Sequence, residues 1–200
     1  MVIINFISFI LFLVFVISYF LKLYILSGRN QIKANVLGKK GKSAGVTIVE
    51  MIVKLSSFGW AAVWCFHSLF GNTLFKTMFQ SSAVSLIGII ATGAGVAVFI
   101  IAMVQMRTSW RVGIDDTSRT TLITSGVYRY SRNPAFVGFD LMFIGLYLMY
   151  PNWVTLCVTV LNLAAFHCLI LQEEKHLRST FGESYHHFAQ KTPRYLWFRL

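Results

Sequence analysis

Charge is scarce in this chain: Asp, Glu, Lys and Arg make up 12% of its 200 residues, and only seven of those side chains are acidic. With 56% hydrophobic residues and a mean hydropathy of +0.65, the composition excludes an ordinary water-soluble globular domain. A bilayer is the better solvent for it, and at this length one compact unit with little room for a soluble domain is expected. Cysteine is also rare. Cys65, Cys157 and Cys168 fall inside apolar stretches without ligand spacing, which excludes a disulfide framework and a zinc site and leaves them as small apolar fillers. No metal is expected, since His186 and His187 are adjacent rather than ligand-spaced.

The few charges present are mostly basic, giving a net charge of +11, but their placement argues for topology rather than for nucleic acid. Five of the 18 Lys and Arg lie between Arg29 and Lys42, five between Arg107 and Arg132, and five between Lys175 and Arg199. Residues 2–21 form a charge-free run long enough to cross a bilayer, without the basic start or small-residue cleavage pattern of a signal peptide. Further apolar runs at 47–70, 81–106, 135–150 and 153–171 predict an all-α integral membrane protein of about five transmembrane helices. Glu50 and Lys54, four apart near the start of the second run, are spaced to pair on one helix face. Pro151 and Asn152 leave almost no loop between the last two runs, which predicts a tight antiparallel hairpin over 135–171.

An odd number of spans collects all three basic clusters on one side. By the positive-inside rule the N-terminus is then outside, and loop 27–45, segment 107–133 and the C-terminal tail are cytoplasmic. The expected division is three N-terminal spans in 1–106 and a cofactor-binding catalytic region in 107–200. Gly41-Lys42-Ser43 is similar to the end of a phosphate-binding loop, but Val36 stands where that motif needs glycine and no strand precedes it.

Ionisable groups beside a span are expensive, and here they gather around the last hairpin. Asn133 followed by Pro134 is good chemistry for an N-cap and first helical position, so a helix N-terminus opens beside Arg132 and suits an anion. The other arm runs into Gln172, Glu173 and Glu174, an end that is negative by dipole and by side chain. In a tight hairpin these ends meet, placing an anion site beside a cation site. The carboxylate, ammonium and sulfonium of S-adenosylmethionine satisfy both; a salt bridge between Arg132 and either glutamate satisfies them equally well. Glu174 can also pair with Arg178 one turn on, which ranks Glu173 first as ligand contact. The rings of Tyr128, Tyr130 and Phe136 lie near this site, while Trp110, Trp153 and Trp197 fit an interfacial aromatic belt. Beyond Glu174, Leu177, Phe181, Tyr185 and Phe188 recur every three to four residues, which predicts a short amphipathic helix on the cytoplasmic surface, broken or bent at Gly182.

From Thr121 to Tyr195 the order of segments, TLITSGVYRYSRNPAFVG, a hairpin, then EEKHLRSTFGESYHHF and TPRY, resembles the isoprenylcysteine carboxyl methyltransferases and related phospholipid and bacterial membrane methyltransferases. The resemblance covers roughly the last 75 residues; the first 106 match only as hydrophobic spans. It implies S-adenosylmethionine as cofactor, held by Thr121, Leu122, Ile123, Tyr128, Arg132, Asn133, Pro134, Ala135, Phe136 and Glu173, with Arg132, Glu173 and Glu174 as catalytic residues. It also implies methyl transfer to a lipophilic acceptor reaching the site sideways from the bilayer, with membrane lipids as neighbours and no nucleic acid partner. Asn133 stands where the family usually has histidine, and Leu169 where its eukaryotic members carry a substrate-binding arginine, a departure that points away from a prenylcysteine acceptor. Asp140 is unexpected in span four. Its spacing puts it on one helix face with Asn133, Phe136 and Phe143, which suits either the lining of an acceptor pocket, together with Phe143, or a protonated or water-exposed acid; an amine acceptor would need a base, for which Asp140, Glu174 or His167 are candidates. Two other classes compete: a steroid-reductase-like NADPH-dependent membrane oxidoreductase, and a non-catalytic membrane subunit.

Overall fold

The computed structural model describes residues 2–32, 34–39, 41–114 and 120–196. Five α-helices carry the fold: α1 (Val2–Asn30), α2 (Ala44–Phe70), α3 (Ser82–Gln105), α4 (Pro134–Met149) and α5 (Trp153–Lys191). Single 3-10 turns at Arg107–Ser109 and Gly126–Arg129 interrupt the α3–α4 connection. Among the described residues the only extended pairing is an isolated parallel bridge between Asn35 and Val112.

Four helices, α1, α2, α3 and α5, are long and apolar enough to cross a membrane. The 16-residue α4 is shorter, about 24 Å at 1.5 Å per residue against a hydrocarbon core of about 30 Å. Together they make an integral membrane protein. The basic ends of all five segments lie at one end of the bundle, where Ile114 and Gly38 meet Glu50 and Val127 meets Gln105.

α3 and α4 make the closest contact. Gly88 and Gly95 on α3 face Gly145 and Gly138 on α4, each pair spaced two turns apart, and a Cβ on Gly95 would stand 2.6 Å from the Gly138 carbonyl oxygen. In lipid, where apolar surface gives helices little reason to associate, such small-residue contact is what allows dense packing. The α4–α5 turn is fixed by a capping box: Asn152 accepts from the Thr155 N–H at 3.0 Å and the Thr155 hydroxyl accepts from the Asn152 N–H. The Asn152 amide also donates to Asn72 Oδ1 at 2.7 Å and lies 2.9 Å from His67 Nε2, tying the hairpin to α2. An aromatic core (Phe15, Trp60, Trp64, Phe99, Phe139, Phe143, Phe166) joins α1 to α5, and a smaller cluster of Tyr128, Tyr185 and Phe188 packs around Ala102.

Three expectations change. The fifth span does not end at Leu171 and hand over to a separate surface helix there; α5 continues in helical geometry to Phe181, because Gln172 to Phe181 contains no breaker, and resumes beyond Gly182 to Lys191. The bend at Gly182 is present, with φ 52° and ψ −126°. The Glu50–Lys54 pair is absent: Glu50 is fully buried and takes Lys42 Nζ at 2.7 Å and the backbone N–H groups of Gly38 and Ile114 at 2.7 and 2.8 Å. Lys42, discarded as a phosphate-binding lysine, therefore has a structural role. Trp110 is buried edge-on against Tyr19 rather than placed in an interfacial belt, whereas Trp153 is exposed and Trp197 lies outside the described residues.

Candidate functional site

α4 begins as the sequence demands, with Asn133 as N-cap and Pro134 at the first helical position, but the Asn133 side chain does not cap the helix. Its amide donates instead to Glu174 Oε1 and to the Arg194 carbonyl, both at 3.3 Å. The first free N–H groups of α4 are thus left without a side-chain partner from the cap. Glu174 is the centre of an ion-pair network: Arg132 reaches Oε1 at 3.0 Å and Arg194 reaches Oε2 at 3.0 Å, with the carboxylate side chain only 4% exposed. Burial alone would raise the Glu174 pKa, but the hydrogen bond from Arg194 and the charges of Arg132 and Arg194, with Asn133, outweigh it and hold it below the usual value. The expected Glu174–Arg178 pair is replaced by this network. The C-terminal segment is latched to α4 through it, since Arg132 N–H donates to the Pro193 carbonyl at 2.9 Å and the Ser131 hydroxyl to the Arg194 carbonyl at 3.1 Å.

One cavity of about 380 Å³ runs from this polar end into the bundle. Its polar end is lined by Thr121 to Ile123, Tyr128, Arg132 to Phe136, Glu173 and His176; its apolar end by Phe15, Tyr19, Trp60, Phe99, Phe139 and Phe166. Thr121 is fixed by Ser109, whose hydroxyl accepts its N–H at 3.2 Å. The turn carrying Tyr128 is anchored by Gln105 at the end of α3, which accepts the Val127 N–H at 2.8 Å. Burial, and secondarily the charge of Glu173, push the Tyr128 hydroxyl up, keeping it a neutral donor.

The apolar run of α5 ends at Leu171, so Glu173 lies beyond the spanning part of that helix. It lines the cavity without a hydrogen bond or ion pair to any described residue, and its carboxyl is pushed up to about 7 by burial first, then by Glu174 and Glu50. It is the only carboxylate among the described residues lining the cavity.

All ten residues expected to hold the cofactor line this cavity. Four other candidates do not. Glu174 is consumed by its arginines, Phe143 is fully buried against Trp60 and Phe166, and His167 Nδ1 lies 2.8 Å from the Tyr195 hydroxyl. Asp140 does not line the cavity, so the acceptor pocket read from its spacing with Phe143 is not assembled there. Tyr130 is exposed and outside the cavity, unlike Tyr128 and Phe136. Sequence reading missed two contributors. Arg194 sits in the quoted TPRY segment, a signal present but unread, and the cavity walls from α1 and α2 carry no motif at all.

A helical membrane bundle with a cavity whose polar end is built from the α3–α4 connection, the start of α4 and the polar part of α5, and whose apolar end is walled by α1 to α5, defines a class of membrane protein. The family model described as phospholipid methyltransferase matches residues 73–184, and the chain belongs to that family. It is 37% identical over 73 residues to a protein-S-isoprenylcysteine O-methyltransferase of Schizosaccharomyces pombe, covering 36% of this chain and 31% of that one. Identity to the Xenopus laevis enzyme of the same name is 30%, covering 61% of this chain and 43% of that one. A probable protein-S-isoprenylcysteine O-methyltransferase of Oryza sativa subsp. indica is 32% identical over 59% of this chain and 63% of its own. The chain thus spans about a third to under two thirds of the length of these relatives.

Proposed function

We propose that this protein transfers the methyl group of S-adenosylmethionine to a lipophilic, membrane-embedded acceptor. The observation that carries the reading is the pairing of complementary groups at the polar end of one cavity. The open N-terminus of α4, with Arg132 held beside it by Glu174, suits a carboxylate, and the unpaired Glu173 suits an ammonium or sulfonium. When bound, the cofactor supplies an electrophilic methyl on a cationic sulfur. Thr121 to Ile123, Tyr128 and Phe136 provide the remaining wall, and a desolvated cation beside such a ring gains about 2 kcal/mol.

The protein's own contribution is positioning and exclusion of water, since a displacement at carbon needs no covalent enzyme nucleophile. Arg132 and Arg194 hold Glu174, which holds Asn133 and the start of α4, so the three act on the site through its geometry. The acceptor's apolar part occupies the gallery of Phe15, Trp60, Phe139 and Phe166. Phe20 and Phe58 line the same cavity and are largely exposed on the outer surface, so the gallery opens between α1 and α2 toward the bilayer. The named relatives act on an isoprenylcysteine, and we take a carboxylate-bearing amphiphile as the acceptor class. Opposite charges then neutralise as the bond forms, a change favoured at low dielectric. The positive-inside rule supports a cytoplasmic orientation of the basic end, in a bacterial inner membrane or the endoplasmic reticulum.

The test is to incubate membranes containing the protein with methyl-labelled S-adenosylmethionine and extract the lipid fraction. Label that appears there and is released as methanol by mild alkali is the expected result. Label resistant to alkali would exclude a carboxylate acceptor, and no label would count against methyl transfer.

A further inference from the structure

We propose that Lys54 is the residue that selects the acceptor by its negative charge and lets go of the product once that charge is gone. The inference rests on the methyl-transfer reading and names the group that reads the acceptor.

Lys54 lies on α2, a membrane-spanning helix, and the partner its spacing suggests is already taken. Glu50 accepts from Lys42 at 2.7 Å through each carboxylate oxygen and from the Gly38 and Ile114 N–H groups, so its acceptor sites are filled by short, charge-assisted bonds. Lys54 makes no hydrogen bond or ion pair with any described residue, yet it lines the same cavity as Glu173. On its own helix the cavity-lining positions Ser57, Phe58 and Ala61 follow it at three-, four- and seven-residue spacing, one face of α2. α1 contributes Phe20 and Leu23 to the same lining. A cation exposed on a membrane-spanning helix at the opening between α1 and α2 is costly unless something anionic comes to meet it. A lysine that only snorkels to the interface needs no cavity.

The two walls therefore carry opposite charges, Glu173 on α5 and Lys54 on α2. An amine acceptor enters as a cation and is repelled by Lys54; a carboxylate is drawn to it and is already a nucleophile, with no base required. In the transfer a carboxylate oxygen lone pair forms the new C–O bond, the C–S bond of the sulfonium breaks with its electron pair left on sulfur, and no proton moves. The ester is neutral, so the attraction to Lys54 ends with the reaction and the product returns to the bilayer.

Binding in detergent, without cofactor, tests this. The probes are N-acetyl-S-farnesylcysteine, its carboxamide and its methyl ester, titrated calorimetrically into wild type, Lys54→Met and Lys54→Arg. The wild type should hold the carboxylate about tenfold more tightly than either neutral analogue, the size of one charge-assisted contact. Lys54→Met should bind all three alike, and Lys54→Arg should keep the preference. Melting temperature and S-adenosylmethionine affinity should be unchanged in Lys54→Met, because the side chain is exposed and lies on a different helix from the groups proposed to hold the cofactor. Equal binding of the three probes by wild type, no binding of the carboxylate, or a carboxylate preference retained in Lys54→Met would each overturn the proposal. Failure of the methyl-transfer reading would show separately, as absent S-adenosylmethionine binding, whatever the probes do.

Discussion

Glu173 and Glu174 are adjacent in sequence, and an α-helix turns successive side chains by about 100°, so the two carboxylates meet different surroundings. Glu174 turns into Arg132, Arg194 and Asn133; Glu173 turns into the cavity and meets none of them. Their substitutions should separate accordingly. Glu173→Gln should lower S-adenosylmethionine affinity by about tenfold while leaving the melting temperature nearly unchanged, since one charge-assisted contact to the ligand is lost. Glu174→Gln should cost about 3–5 kcal/mol of stability, read from unfolding in detergent, because two largely buried arginines lose their counter-ion. A cofactor affinity unaffected by Glu173→Gln would remove Glu173 from the site. The raised carboxyl of Glu173 also sets a pH dependence. With its pKa at about 7 in the free protein, it is mostly protonated at pH 6 and cannot attract a cation; at pH 8 it is ionised. Affinity should therefore rise between pH 6 and 8 in the wild type, with protons released on binding at the lower pH, and calorimetry in buffers of differing ionisation enthalpy would show both. Glu173→Gln should flatten the profile.

At the scale of elements, the hairpin was legible because Pro151 and Asn152 are local signals, and the start of α4 because Asn133 and Pro134 are. The length of α5 was not: polarity changes sharply at Gln172, and a change of solvent was read as a change of element although the helix-forming residues continue to Phe181. Nor was the partner of Glu50. Spacing offered Lys54 four residues away, while the loop residue Lys42 and two backbone N–H groups, one of them 64 residues distant, were available only in three dimensions. The α3–α4 contact follows the same rule, since Gly88, Gly95, Gly138 and Gly145 mean little until the helices are paired. Gly95→Val or Gly138→Val should force the two backbones apart and cost about 1–3 kcal/mol, with a fall in folded yield from detergent extraction. The exposed Gly59, with open space around its Cβ, should accept alanine without such a loss.

Across the whole molecule, the polar end of the cavity is encoded in contiguous motifs and the apolar end is not. Thr121 to Ile123, Arg132 to Phe136 and Glu173 announce themselves by order and residue type, and the fold brings them to one wall. Phe15, Tyr19, Trp60 and Lys54 come from spans that read only as hydrophobic, because a wall that accommodates an apolar chain needs shape and not a particular spacing. Asp140 and His167 show the converse, polar residues conspicuous in sequence that the fold keeps out of the cavity. The account depends on the cavity's polar end holding S-adenosylmethionine. Equilibrium binding of the radiolabelled cofactor to detergent-purified protein, competed in turn with S-adenosylhomocysteine and NADPH, measures that directly. Saturable binding displaced by S-adenosylhomocysteine and untouched by NADPH is the result expected; no saturable binding, or displacement by NADPH alone, would contradict it.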